Sequence, residues 1–228
     1  MSKRKGTTSV GRKILMALSG LFLILFLLQH CVINSLSVIA PDMFNVVSQF
    51  MGTNPIIQFF IQPVLAFGVF FHLIMGMYLE RKNRSARPIK YAVNKPATNS
   101  SWMSRNMIIS GIMIMLFLAV HFIDFWLPEL NTKFIQGDMS GMNAEGEYRY
   151  MEELVHHFQN PVRVGVYVLA FIFLSLHLLH GFQSAFQSVG FNHNKYTPII
   201  KKLGNIYAVL IPLAFIFIAL FHFFNHNA

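Results

Sequence analysis

The 228-residue chain is 54% apolar and 12% charged, with a mean hydropathy of +0.50, whereas a soluble domain would be about a quarter charged. That balance excludes an ordinary soluble globule, and a net charge of +9 carried on residues that flank apolar blocks excludes a nucleic-acid-binding face. The single cysteine, Cys31, excludes an internal disulfide framework and thiolate-held metal clusters, and reads as a small packing residue.

Five apolar runs follow in chain order, each long enough to cross ~30 Å of hydrocarbon at ~1.5 Å per residue. The first, Ile14–Leu36, carries Gln29, His30 and Asn34. It runs into a polar end with no small-residue cleavage site, so it reads as a retained helix. The second, Pro55–Leu79, starts at Asn54-Pro55, a cap residue before a first-turn proline, and contains His72. The third is Asn106–Leu127, with His121 near its end. The fourth, Pro161–Ser188, starts at Asn160-Pro161 and carries His177 and His180; the fifth, Leu203–Phe224, carries His222. Pro63 and Pro212 are expected to kink their spans. The fold class is an all-α integral membrane protein, five transmembrane helices in one bundle that forms the single domain, residues 1–228.

Fifteen of the 18 basic residues fall in the N-terminal segment, the connection after the second span and the connection after the fourth. The opposite side keeps Lys133, Arg149 and Arg163 among most of the acids. The positive-inside rule then predicts a cytoplasmic N-terminus and an outside C-terminus. The polar connection from Pro128 to Asn160 is expected to cap the outer face.

An imidazole inside a bilayer needs a partner, so intramembrane histidines are functional candidates. Counted from span midpoints, His30 and His121 lie ~6–7 Å to the outer side, and His72, His177 and His180 ~3–7 Å to the inner side. The histidines therefore sort into an outer pair on spans one and three and an inner pair on spans two and four. Two imidazoles at one height on different helices suit a six-coordinate b haem. Gly20 and Gly111 precede His30 and His121 by ten residues, ~15 Å, which sets them at the depth of the inner pair. Gly76 and Gly181 follow His72 and His177 by four. Such glycines let a ring approach the backbone, or simply let helices pack closely. Depth alone slightly favours His180 over His177 as the inner ligand. A run of phenylalanines, including Phe67, Phe70, Phe71, Phe117, Phe122, Phe171 and Phe173, reads as lipid-facing or core bulk.

The order of these pieces resembles a known family. Gln29-His30 with Asn34, His72-x-x-x-Gly76 with Tyr78, Trp102-Met103 with Gly111 ahead of His121, and His177-x-x-x-Gly181 with Ser184 and Gly190 are similar to the five-helix, di-haem cytochrome b anchor of succinate dehydrogenases and quinol:fumarate reductases. Gly11-Arg12-Lys13 with Met16-Ala17-Leu18 is similar to one bacterial branch, which implies the cytoplasmic (inner) membrane. The resemblance spans nearly the whole chain. It implies two haem b groups, the distal iron on His30 and His121 and the proximal iron on His72 and His177, with His180 as the alternative to His177.

It further implies a flavoprotein and an iron–sulfur subunit on the cytoplasmic side, and a menaquinone or menaquinol site near the distal haem. Quinone-site candidates by depth are Gln29, Asn34, Asp124 and Trp126, with His156 and His157 as proton-handling groups; helix-to-helix hydrogen bonding or interface anchoring accounts for these residues as well. Arg12, Lys13 and Arg105 suit the inner haem propionates by depth. The chain has no nucleotide or flavin fingerprint, so it is expected to be an oxidoreductase only as part of a complex. The competing expectations are the cytochrome b anchor of another quinone-linked dehydrogenase, a non-redox transporter that uses histidines, and a haem-free anchor. A transporter would place carboxylates or broken helices at mid-depth, and no span has an acid near its centre.

Overall fold

The computed structural model describes residues 9–85 and 107–225. All regular structure among them is helical, and five helices are long and apolar enough to cross a membrane. They are α1 (Ser9–Ile39), α3 (Ile57–Ser85), α4 (Met107–Ile135), α6 (Pro161–Ser188) and α7 (Thr197–Asn225). Two shorter helices, α2 (Pro41–Thr53) and α5 (Tyr150–Phe158), lie in the connections at one end of the bundle, here the cap end. Arg105, Trp102 and Met103 lie outside the described residues, as do the basic residues Lys3, Arg4, Lys5, Arg87, Lys90 and Lys95.

The two predicted caps form. The Asn54 side chain accepts from the Ile56 and Ile57 amides at 3.0 and 3.3 Å, and Asn160 accepts from Val162 and Arg163 at 2.9 and 3.1 Å. Each satisfies first-turn amides that have no partner inside the helix.

Three spans run longer than their apolar cores. α1 begins at Ser9 and not Ile14, α3 reaches Ser85 and not Leu79, and α7 begins at Thr197 and not Leu203. Polar residues continue a helix once it leaves the apolar layer, so hydropathy marks the layer and not the helix. The larger correction is α4, which passes Pro128 and ends at Ile135 instead of Leu127. Its turn at Phe122–Trp126 is a widened π-turn, and a second follows at Asn131–Ile135. A similar π-turn, Ile57–Ile61, stands just ahead of Pro63 in α3. A wide turn relieves the clash and missing amide that proline brings to a helix.

Helix α6 is central, packing on α1, α4 and α7; α1 also meets α3 and α7. Small residues allow the close approaches. A Cβ at Gly204 on α7 would meet the Phe182 ring of α6 at 2.7 Å, and one at Gly68 on α3 would meet the Phe22 ring of α1 at 2.7 Å. Apolar side chains such as Leu25, Phe59, Phe67, Ile74 and Leu116 point outward. In water this belt would be a large liability; against lipid it costs nothing.

The aromatic core sits toward the cap end, around Phe44, Phe158, Tyr167, Phe171 and Phe215. There the cap is fastened by ions. Glu129 on the α4 extension pairs with Lys133 at 2.5 Å and with Arg149, which also pairs with Glu153 of α5. Buried Lys133 donates to the Gly52 carbonyl at the end of α2. These bonds tie α2, α4 and α5 together. The expected cap between Pro128 and Asn160 is therefore part helix, and it joins a helical first connection whose period was not read from the sequence.

Candidate functional site

Two pairs of histidine rings meet inside the bundle. His30 of α1 and His121 of α4 have ring centroids 5.9 Å apart, with planes at 83°. His72 of α3 and His177 of α6 have centroids 6.4 Å apart, at 66°. Two imidazoles that share a transition metal at ~2 Å per bond stand roughly 6 Å apart between centroids. The first pair lies toward the cap end. The second lies near Gly20 and Gly111, ten residues (~15 Å) back along α1 and α4.

The α3/α6 pair is held by hydroxyls. Ser19 Oγ is 3.0 Å from His72 Nδ1, and Ser110 Oγ is 3.2 Å from His177 Nδ1. Each serine gives its only proton to a carbonyl three residues back, Met16 O at 2.8 Å and Met107 O at 2.9 Å. The hydroxyls can then only accept, so each Nδ1 carries the hydrogen. That leaves Nε2 with its lone pair, the form in which imidazole binds metal. A Cβ at Gly20 would meet His72 Cε1 at 3.4 Å, and one at Gly111 would meet His177 Cε1 at 3.9 Å. The glycines thus lie against the inner rings. Gly76 and Gly181 instead face the methyl ends of Met16 and Met107, each at 3.5 Å from a built Cβ. It is His177, and not His180 one turn on, whose ring faces His72 and Ser110.

The α1/α4 pair sits in an aromatic box. Phe26 stacks on His30 and Phe117 on His121, at 5.4 and 5.7 Å. Phe215 and Phe125 complete the walls. Of the phenylalanines read as bulk, Phe117 and Phe171 line this cluster, while Phe67 and Phe70 point outward. Behind His121, Tyr167 OH is 3.5 Å from Nδ1 and donates to Asp124 at 2.8 Å; Asp124 pairs with Arg163 at 2.9 Å. Asp124 is buried, and its carboxylate is engaged by Tyr167 and Arg163 behind the ring pair.

The other quinone-site candidates scatter. Gln29 is exposed on the outer surface of α1, and Trp126 is 41% exposed and meets the Phe122 ring at a tilt of 45°. The Asn34 amide donates to the His30 carbonyl at 2.8 Å. His156 and His157 line a groove of about 640 Å³ at the cap end with Arg149, Glu152 and Glu153. His157 meets Phe125, which in turn meets His121. Lys13 is exposed. Arg12 lies over the Tyr78 ring at 5.9 Å, and its buried Nε has no hydrogen-bond partner among the described residues. A half-buried cation with a shielded, open Nε donor suits a carboxylate of a bound group near the α3/α6 pair.

Ser19 and Ser110 were missed in the sequence, although a signal was present. Residues 16–30 read MALSGLFLILFLLQH and residues 107–121 read MIISGIMIMLFLAVH, so Met, Ser, Gly, Leu-Phe-Leu and His recur in register. The recurrence holds in space. Each Met–Ser–Gly lies beside a histidine of the next span, and each Phe stacks on its own histidine. Each ring pair thus joins equivalent positions of two helix pairs, α1–α3 and α4–α6. Comparison with protein-family profiles, curated proteins and solved structures finds no match for this chain.

Proposed function

We propose that the chain is the haem-binding membrane anchor of a succinate:quinone oxidoreductase. On this reading it lies in a bacterial cytoplasmic membrane with its N-terminus inside. A flavoprotein and an iron–sulfur subunit dock on the basic side, and menaquinone or menaquinol is exchanged in the bilayer. Two b haems would carry single electrons between those partners. The observation that carries the reading is the two ring pairs at separate heights, one of them with both Nδ1 atoms committed to serine hydroxyls.

The chain's own residues have defined tasks in it. His72 and His177 would hold the haem toward the N-terminal end, and His30 and His121 the one toward the cap. Ser19 and Ser110 orient the first two rings, and Tyr167 with Asp124 supports His121. Gly20 and Gly111 keep side-chain bulk away from the inner rings, and Arg12 would meet a propionate. The aromatic box around His30 and His121 excludes water. None of these residues could carry out chemistry on succinate, which is left to the partners.

A reduced-minus-oxidised visible spectrum of the purified chain tests the reading, and two b-type contributions are the expected result. A featureless spectrum would refute it and favour a transporter or a haem-free anchor. Purification with the partner subunits, assayed with both succinate and fumarate, tests the assignment to this class of complex.

A further inference from the structure

Two short helices pack on each other at the cap end, α2 and α5, and they present opposite faces. On α5, Glu152 and His156 are exposed, and with Gln159 just past the helix end they border the polar groove of the cap. On α2 the exposed stripe is Met43, Val46 and Phe50, at i, i+3 and i+7, and each is more than half exposed. Asp42, the single charged residue of α2, stands at the edge of that stripe in the first turn. The opposite face of α2 is fully engaged. Phe44 enters the aromatic core, Asn45 accepts from the Met151 amide at 2.9 Å, Gln49 accepts from the Tyr150 hydroxyl at 3.0 Å, and the Gly52 carbonyl accepts from Lys133. Residues of α4 and α5 thus fix the rotation of α2 about its axis, and the apolar stripe cannot turn inward.

At 13 residues, ~20 Å, α2 is too short to cross the apolar layer. It joins the ends of α1 and α3 that lie on the same side of the bundle. Ala40 alone separates it from α1, and Asn54 caps the helix that follows. A helix tethered in this way lies at the rim of the layer. Its stripe continues along the chain through Ile56 into Phe59 and Phe60, in the outward belt of α3. Phe59 in turn meets the ring of Phe134 on the α4 extension, whose neighbour Ile135 is 81% exposed. The apolar surface of the spans therefore runs onto the cap at α2 and stops short of α5.

We infer that α2 is an interfacial helix that binds the phospholipid leaflet on the cap side. Met43, Val46 and Phe50 lie at the boundary of headgroups and acyl chains, where such helices sink an apolar face by ~5–10 Å. The α5 stripe faces water, so the membrane surface passes between the two cap helices and not beneath them both. Continuity selects lipid as the occupant, because a protein seated on α2 would also have to cover the belt of α3 that joins it. The inference needs the five spans to lie in a bilayer and does not depend on what the ring pairs hold.

The test places a nitroxide on single cysteines in the full chain, reconstituted with any co-purifying subunits into phosphatidylcholine vesicles. Val46→Cys and Phe50→Cys report on the stripe, Phe67→Cys on the belt of α3, and Glu152→Cys on the α5 face. Cys31 is buried, so the unsubstituted chain serves as the labelling blank. Power-saturation spectra compare collisions with oxygen, which concentrates in acyl chains, and with a nickel chelate, which stays in water. The expected oxygen-to-chelate ratio at positions 46 and 50 is several-fold above that at 152 and approaches that at 67. The two stripe positions are read separately, so one variant that fails to fold leaves the other to decide. Chelate access at 46 and 50 equal to that at 152 overturns the inference and puts α2 in water. Labels there that are immobile and shielded from both agents also overturn it, because a second copy or a partner protein then covers the face. A ratio at 152 as high as at 67 overturns it as well, since the whole cap is then immersed.

Discussion

The two ring pairs occupy equivalent positions of a repeated helix pair, yet they are held in different ways. The α3/α6 rings each meet a neutral hydroxyl from a neighbouring helix, 3.0 and 3.2 Å away. The α1/α4 rings are gripped by stacked phenylalanines, and the support behind His121 is a phenol tied to an ion pair. One site is thus set by two short neutral contacts. The other is set by apolar packing and by a charge two bonds removed. The repeat fixes where the rings stand, and the residues that break the repeat, Asp124 and Tyr167 among them, give the sites different electrostatics. A carboxylate behind a ligand's hydrogen-bond partner raises the ligand's basicity more than a hydroxyl does, so on the proposed function the two haems would have different potentials.

The largest effect expected is at the rings themselves. His72→Ala should lower haem content from two groups to one and leave the α1/α4 group with its spectrum intact; loss of neither group, measured as pyridine haemochrome, would end the assignment.

Asp124→Ala comes next. It strands Tyr167 and Arg163 and should cost about 2–4 kcal/mol in thermal unfolding, with spectral change confined to the α1/α4 group. Equal disturbance of both groups would show that the sites are not independently supported.

Ser19→Ala and Ser110→Ala should each weaken retention of the α3/α6 group by roughly 10–100-fold, the usual size for a ligand's outer partner. The readout is haem loss to an apo-haem acceptor, and an unchanged rate would mean that the hydroxyls do not orient the rings.

The smallest effect lies in the cap. Burial first, and the Glu129 carboxylate second, hold the Tyr150 hydroxyl above its ordinary pKa of 10.0. The unfolded chain therefore loses that proton before the folded one does. The stabilisation is intact below the unfolded value and is lost as pH rises toward the folded one. Melting measured between about pH 8 and 11 should fall less steeply in Tyr150→Phe than in wild type. Parallel curves would remove Tyr150 from the account.

Much of this was legible in the sequence. Hydropathy placed the five spans, and counting at ~1.5 Å per residue paired the histidines and set Gly20 and Gly111 beside the inner pair. Gln29 could have been discounted on the same grounds, since neighbours on a helix point ~100° apart and His30 takes the inward face. His177 and His180 were harder to separate, because residues three apart share a face. The passage of α4 through Pro128 was hidden because π-turns leave no period in the sequence. Helices α2 and α5 were missed because they are short and half polar, held by contacts such as Lys133 to Gly52 that join distant parts of the chain. The Met–Ser–Gly repeat was visible throughout, but a serine in an apolar helix has no meaning until its neighbour across the interface is known.

Pairing between the halves has a consequence for biogenesis. The His30–His121 grip needs only α1 and α4, whereas the His72–His177 grip needs α6 as well. As the nascent chain enters the bilayer from its N-terminus, both histidines of the cap-side pair are present one span ahead of those of the other pair. On the proposed function, cofactor delivery would then follow the order of translation, and a ribosome stalled after α4 would display a half-furnished protein.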